Sequence, residues 1–86
     1  MEQFKYVIKD ELGIHARPAG QLVQLASTFT CDLRIINAQG EQGDLRFVFK
    51  LLSLGVRHGD QVTVVADGED EAAAIVALQT FFLKNL

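Results

Sequence analysis

Apolar residues recur at every second position in some stretches of this chain and at every third or fourth in others. That switch of period constrains the fold more than any other feature of the sequence. Phe4, Tyr6 and Ile8 alternate with Lys5, Val7 and Lys9, the pattern of a half-buried strand. Leu33 and Ile35 alternate with Asp32 and Arg34 as a second strand. Val62, Val64 and Ala66 alternate with Gln61, Thr63 and Val65 as another. Between the first two strands, Ala19, Leu22, Val23, Ala26 and Phe29 fall on one face of a helix. Pro18 suits the first turn of that helix, where a missing N–H is harmless. Near the end, Ala74, Ile75, Leu78, Phe81 and Phe82 form a second helical stripe.

The remaining stretches fill in the order. Gly40 and Gly43 bracket a polar turn, and a short strand is expected around Glu41 to Leu45. Arg46 to Leu54 is short and apolar nearly all round, and Gly55 closes it, which predicts a short helix with Gly55 as its stop. His58-Gly59-Asp60 reads as a turn. The order is therefore β-α-β-β-α-β-α in an α+β fold, one layer of sheet covered on one face by helices. Polar residues at alternate strand positions argue for an antiparallel sheet with one wet face. At 86 residues, 1–86 is expected to be a single domain. A chain of this size buries only about 60% of its unfolded surface, so no deep private cavity is expected.

Composition narrows the function. Eight Lys and Arg stand against eleven Asp and Glu, for a net charge of −3. No basic stripe with interleaved aromatics is present, which disfavours a nucleic-acid partner. The acidity is local, because Asp67, Glu69, Asp70 and Glu71 cluster. A weakly positive face elsewhere is compatible with the rest. The single Cys31 excludes an internal disulfide and a cysteine-built zinc site, and its strand context reads as a small buried hydrophobe. The N-terminal alternation is unlike a signal peptide. Ala72 to Leu83 is too short to span a bilayer. The expectation is a soluble cytoplasmic protein with no stable membrane association. No cofactor and no metal is assigned: a pairing of His58 with His15 has no ligand spacing behind it.

The two long helices treat the helix dipole differently. The last has Glu69, Asp70 and Glu71 at its positive end and Lys84 near its negative end, the favourable arrangement. The first has His15 and Arg17 at its positive end, no acid from Gly13 through Leu33 except Asp32, and no Ser, Thr, Asp or Asn at the expected cap. Free helix N–H groups beside a guanidinium make an anion site. Imidazole is a nucleophile when neutral, so His15 in such a site is suited to accept a phosphoryl group whose oxygens the same donors would hold. Gly13 supplies backbone freedom before the helix, and Pro18 fixes its entry. Charge alone says only that an anion binds here, and a solvated loop histidine is the plainer alternative.

The segment Gly13-Ile14-His15-Ala16-Arg17-Pro18-Ala19 resembles the active-site signature of HPr, the histidine phosphocarrier family of the phosphoenolpyruvate-dependent phosphotransferase system. The resemblance continues through Leu51-Leu52-Ser53-Leu54-Gly55 and Asp67-Gly68-Glu69-Asp70-Glu71 and covers essentially the whole chain. It implies an open-faced β-sandwich, a four-stranded antiparallel sheet covered on one face by three helices. It further implies that enzyme I gives a phosphoryl group to His15 Nδ1, and that the carrier passes it to a histidine of a sugar-specific IIA domain. Arg17 and the backbone N–H groups of Ala16 and Arg17 would hold the phosphoryl oxygens. The protein would be a transfer intermediate rather than a stand-alone enzyme, and a monomer.

Phe47, Val48, Phe49, Leu51 and Leu52 are too many apolar groups for one face of a two-turn helix. Leu51 and Leu54 can face the core. Val48, Phe49 and Leu52 are then left partly exposed beside Arg46 and Lys50, which reads as a docking surface. A small helix simply packed in the core is the alternative. The resemblance places the meeting surface for enzyme I and IIA domains on this helix and the first.

Three departures from the family pattern stand out. Phe47 occupies the position where many members carry a regulatory serine, so control by a serine kinase is expected to be absent. Ser53 lies inside the helix and is a poor substitute. Gln21, Gln24 and Ser27 replace lysines that some members place on the outward side of the first helix, so charge steering is expected to be weaker. The turn between the second and third strands is one residue longer than usual. Two further readings keep the fold: a regulatory carrier of the nitrogen-branch kind, and an interaction module that is never phosphorylated. The presence of both His15 and Arg17 argues against the second.

Overall fold

The computed structural model describes residues 1–86. Its elements are β1 (Glu2–Val7), α1 (Ala16–Ala26), β2 (Asp32–Ile36), β3 (Gln42–Asp44), α2 (Val48–Ser53), β4 (Gln61–Asp67) and α3 (Glu71–Asn85). The order matches the β-α-β-β-α-β-α reading. The strands lie side by side as β1-β4-β2-β3, and every neighbouring pair is antiparallel. This is the α+β layer of sheet covered on one face that the alternating strands predict, and the open-faced sandwich that the resemblance implies.

Register turns alternation into a core. Phe4 faces Val64, and Val64 faces Ile35 on its other side. These three side chains form one row across the sheet, all buried. Leu33 and Ala66 make the neighbouring row. The helices cover this face only. Ala19, Leu22 and Ala26 of α1 and Ala74, Ile75, Leu78 and Phe82 of α3 join the same cluster. The Phe82 ring meets the edges of Phe4 and Tyr6 at centroid distances of 5.4 and 5.6 Å. Thr63, Val65, Arg34 and Lys5 stand on the other face, which no helix covers. Burial of the aliphatic set supplies most of the driving force, at about 25 cal/mol per Å² of apolar surface.

Two details differ from the sequence reading. Gly43 does not bound a turn; it lies inside β3, paired with Ile35. A side chain there would press on Lys50 Cγ and Leu54 Cδ1, at 3.0 and 3.2 Å, so the missing Cβ lets α2 settle onto the strand. The helix expected over Arg46 to Leu54 is shorter at both ends, with Phe47 as N-cap and Leu54 as C-cap. Gly55 follows in the left-handed conformation, φ +61°, as its stop.

Asn37 is the one buried polar side chain. Its Nδ2 donates to the Leu54 carbonyl and to Glu41 Oε1, and its Oδ1 accepts from the N–H groups of Gln39 and Glu41. One amide thus closes the β2–β3 turn and ties it to the end of α2. Asp70 does a similar service at the other end of the sheet. Its carboxylate accepts from the N–H groups of Thr30 and Cys31 rather than capping its own helix.

Candidate functional site

The loop between β1 and α1 is held from three directions. Lys9 and Asp10 donate their N–H groups to the Leu86 carbonyl. Gly13 donates to the Asp10 carbonyl at 3.0 Å, closing a turn. Ile14 donates to the Val56 carbonyl at 3.2 Å and is itself buried. Gly13 takes φ +67°, and a Cβ there would run into the Val56 carbonyl oxygen and the Arg57 backbone. Only glycine lets the loop approach that closely. His15 is therefore delivered to the surface by a fixed stretch of backbone.

His15 is the N-cap of α1, with extended backbone and no side-chain capping bond. Its carbonyl accepts the first helical bond, from Ala19. Pro18 has no N–H to give. The N–H groups of Ala16 and Arg17 are left without a backbone acceptor, and no acid stands in the first turn. The Arg17 side chain is exposed and makes no ion pair or hydrogen bond within the chain. Two free N–H groups and an unpaired guanidinium thus lie within two residues of an imidazole that is 37% exposed. The grouping suits a transferable anion. It is also shallow. The one concavity of note, about 200 Å³ lined by Arg34, Gln42, Gly43 and Asp44, lies at the β2–β3 edge of the sheet and is separate from it.

The structure adds an acid that the sequence reading left out. Asp10 precedes the Gly13 turn, and the turn folds it back towards the helix start. Its Oδ2 lies 3.8 Å from His15 Nε2, and its Oδ1 accepts from the Leu12 N–H at 2.8 Å. A polar residue ahead of a turn has no place in the apolar periodicity, so the pattern of the sequence gives no signal for it.

On α2 the apolar groups divide between the core and the surface. Leu51 and Leu54 are buried, Val48 and Leu52 are half-buried, and Phe49 is 84% exposed. Phe47 adds a second exposed ring. Lys50 is exposed beside them, whereas Arg46 is not available: its Nη2 donates to the carbonyls of Phe29 and Cys31. Arg46 is a strut between α2 and the start of β2, not a docking cation. α2 packs against α1, so its apolar patch and the His15 loop belong to one helical side of the molecule. His58 lies in an exposed turn. No three His, Cys, Asp or Glu side chains gather as metal ligands.

Residues 2–84 match the family model described as the PTS HPr component phosphorylation site. The chain is 44% identical over 85 residues to the phosphocarrier protein HPr of Mycoplasma genitalium, covering 99% of this chain and 97% of that one. It superimposes on a mycoplasma histidine-containing phosphocarrier protein with a TM-score of 0.93 at 32% identity, covering 96% of this chain and 93% of the other. An HPr from Thermoanaerobacter tengcongensis gives 0.91 at 33% identity, with coverage of 98% and 93%.

Proposed function

The chain belongs to the HPr family of phosphocarriers of the phosphotransferase system, and from that premise we propose that His15 is its phosphoryl acceptor. Phospho-enzyme I delivers the group to Nδ1, and the carrier hands it to a histidine of a sugar-specific IIA domain. The observation that carries this reading is the start of α1: an exposed imidazole beside two unpartnered N–H groups and an unpaired Arg17. Ala16 and Arg17 N–H hold two phosphoryl oxygens while the guanidinium neutralises their charge. Openness serves the role. Donor and acceptor proteins must each reach the same nitrogen, and a carrier that enclosed the group would bind it too well to release it.

The protein acts as a transfer intermediate, with no cofactor and no metal in the step. Val48, Phe49, Lys50 and Leu52 form the docking patch for both partners. Phe47 lacks the hydroxyl that a serine kinase needs, and its exposed ring extends the patch instead. The carrier works as a single-domain monomer in the cytoplasm; no helix is long and apolar enough to cross a membrane.

Intact mass after incubation with phosphoenolpyruvate and enzyme I tests the reading. The expected result is a gain of one acid-labile phosphoryl group, absent in His15→Ala. A folded wild-type protein that gains nothing, or a His15→Ala variant that still gains the group, would overturn it.

A further inference from the structure

We propose that Asp10 is a positioning residue: its carboxylate keeps the His15 ring proton on Nε2 and so presents Nδ1 as the free nucleophile. The proposal rests on the reading of His15 as phosphoryl acceptor. Asp10 is fixed on both sides by backbone bonds. Its N–H donates to the Leu86 carbonyl, and its own carbonyl accepts from Gly13. Its Oδ1 is occupied by the Leu12 N–H. Only Oδ2 is unclaimed within the chain, and it faces Nε2 at 3.8 Å. At that distance the carboxylate already acts on the ring proton through its charge in the free protein, and about 1 Å of side-chain movement closes the hydrogen bond.

The two ring nitrogens are not equivalent, and the partner of one decides the protonation of the other. A carboxylate at Nε2 favours the tautomer with its proton there. Nδ1 then keeps its lone pair, and it has no partner in the chain. In the transfer, that lone pair forms the N–P bond. The bond from phosphorus to its donor atom on enzyme I breaks, and its electron pair stays on that donor atom. The Nε2 proton stays in place, so the ring becomes cationic as it gains the phosphoryl group. Asp10 is the negative charge opposite it. The pair is half-exposed, so its expected effect is modest, about threefold in rate.

Two variants separate positioning from a purely structural role. Asp10→Asn keeps the oxygen that accepts from Leu12 and puts an amide N–H where Oδ2 stood. That donor favours a lone pair on Nε2 and moves the proton to Nδ1, the wrong nitrogen. Asp10→Ala removes the bias and the turn bond together. The measurement is the ring ¹⁵N shifts of His15 in the free protein at a pH where it is neutral, with the phosphorylation rate alongside. The expected order for the Nε2–H share and for the rate is Asp, then Ala, then Asn. A turn-only role would make Asn the mild change and Ala the severe one, and that order overturns the proposal. So does an unchanged tautomer ratio in all three proteins. If wild-type protein takes up no phosphoryl group, the acceptor reading fails instead, and Asp10's part in transfer with it; the ratios are read without transfer, so the two failures are distinct.

Discussion

Gly13 shows how much one backbone position decides. At φ +67° against the Val56 carbonyl, any side chain meets both a strained conformation and a backbone wall, with Arg57 Cα only 2.8 Å away. Gly13→Ala is expected to lose about 2–3 kcal/mol in urea denaturation. It should also slow phosphorylation, because the same contact aims His15. Cys31 makes the opposite point. Burial, then the neighbouring Asp70 carboxylate, push its thiol up to about 11. It should resist iodoacetamide in the native protein at pH 8 and react once unfolded. Both roles were readable from local pattern: a glycine before a helix, and a cysteine at the start of an apolar strand. Asp10 and Asn37 were not. Each acts through a turn that brings a polar atom to a distant partner, and a polar side chain in a loop carries no periodicity to betray it.

Elements differ in what holds them. The loop before β2 and the start of α3 are joined through Asp70, whose carboxyl sits at about 2 because the Thr30 N–H, then the Cys31 contacts, favour its ionised form. The folded protein therefore binds fewer protons than the unfolded one. This contribution is complete above about pH 4 and is lost as the pH falls through 2. Asp70→Asn should lower the melting temperature at neutral pH and make its decline between pH 4 and 2 shallower; scanning calorimetry across that range checks both. In α2 the two faces should separate cleanly. Leu51→Ala is expected to cost about 2–5 kcal/mol in denaturant. Phe49→Ala should change stability by no more than about 0.5 kcal/mol, yet weaken binding in a titration with enzyme I. The sequence pattern anticipated this division because a two-turn helix cannot bury five apolar groups on one side. The ends of α2 and the place of Gly43 escaped it. Those depend on how closely helix and strand approach, which is a property of the pair.

At the scale of the molecule, the layers were legible and the neighbour order was not. Alternation says that a strand has one buried face, and three such strands, a short fourth and three helices leave little choice but a sheet covered on one side. Alternation does not say which strand lies beside which. The order β1-β4-β2-β3 sets the first strand at an edge, where its only partner is β4. That placement has a consequence for synthesis. A chain emerging from the ribosome has β1 long before it has Gln61–Asp67, and the loop carrying His15, which needs Val56 just before β4, waits further still for Leu86. Until then β1 has no partner to zip against and the histidine no frame to hold it. Stalled chains ending before β4 should show no amide protection in β1 by hydrogen exchange. Unfinished copies would then stay outside the phosphoryl relay, because the part that reacts is assembled from segments far apart in the sequence.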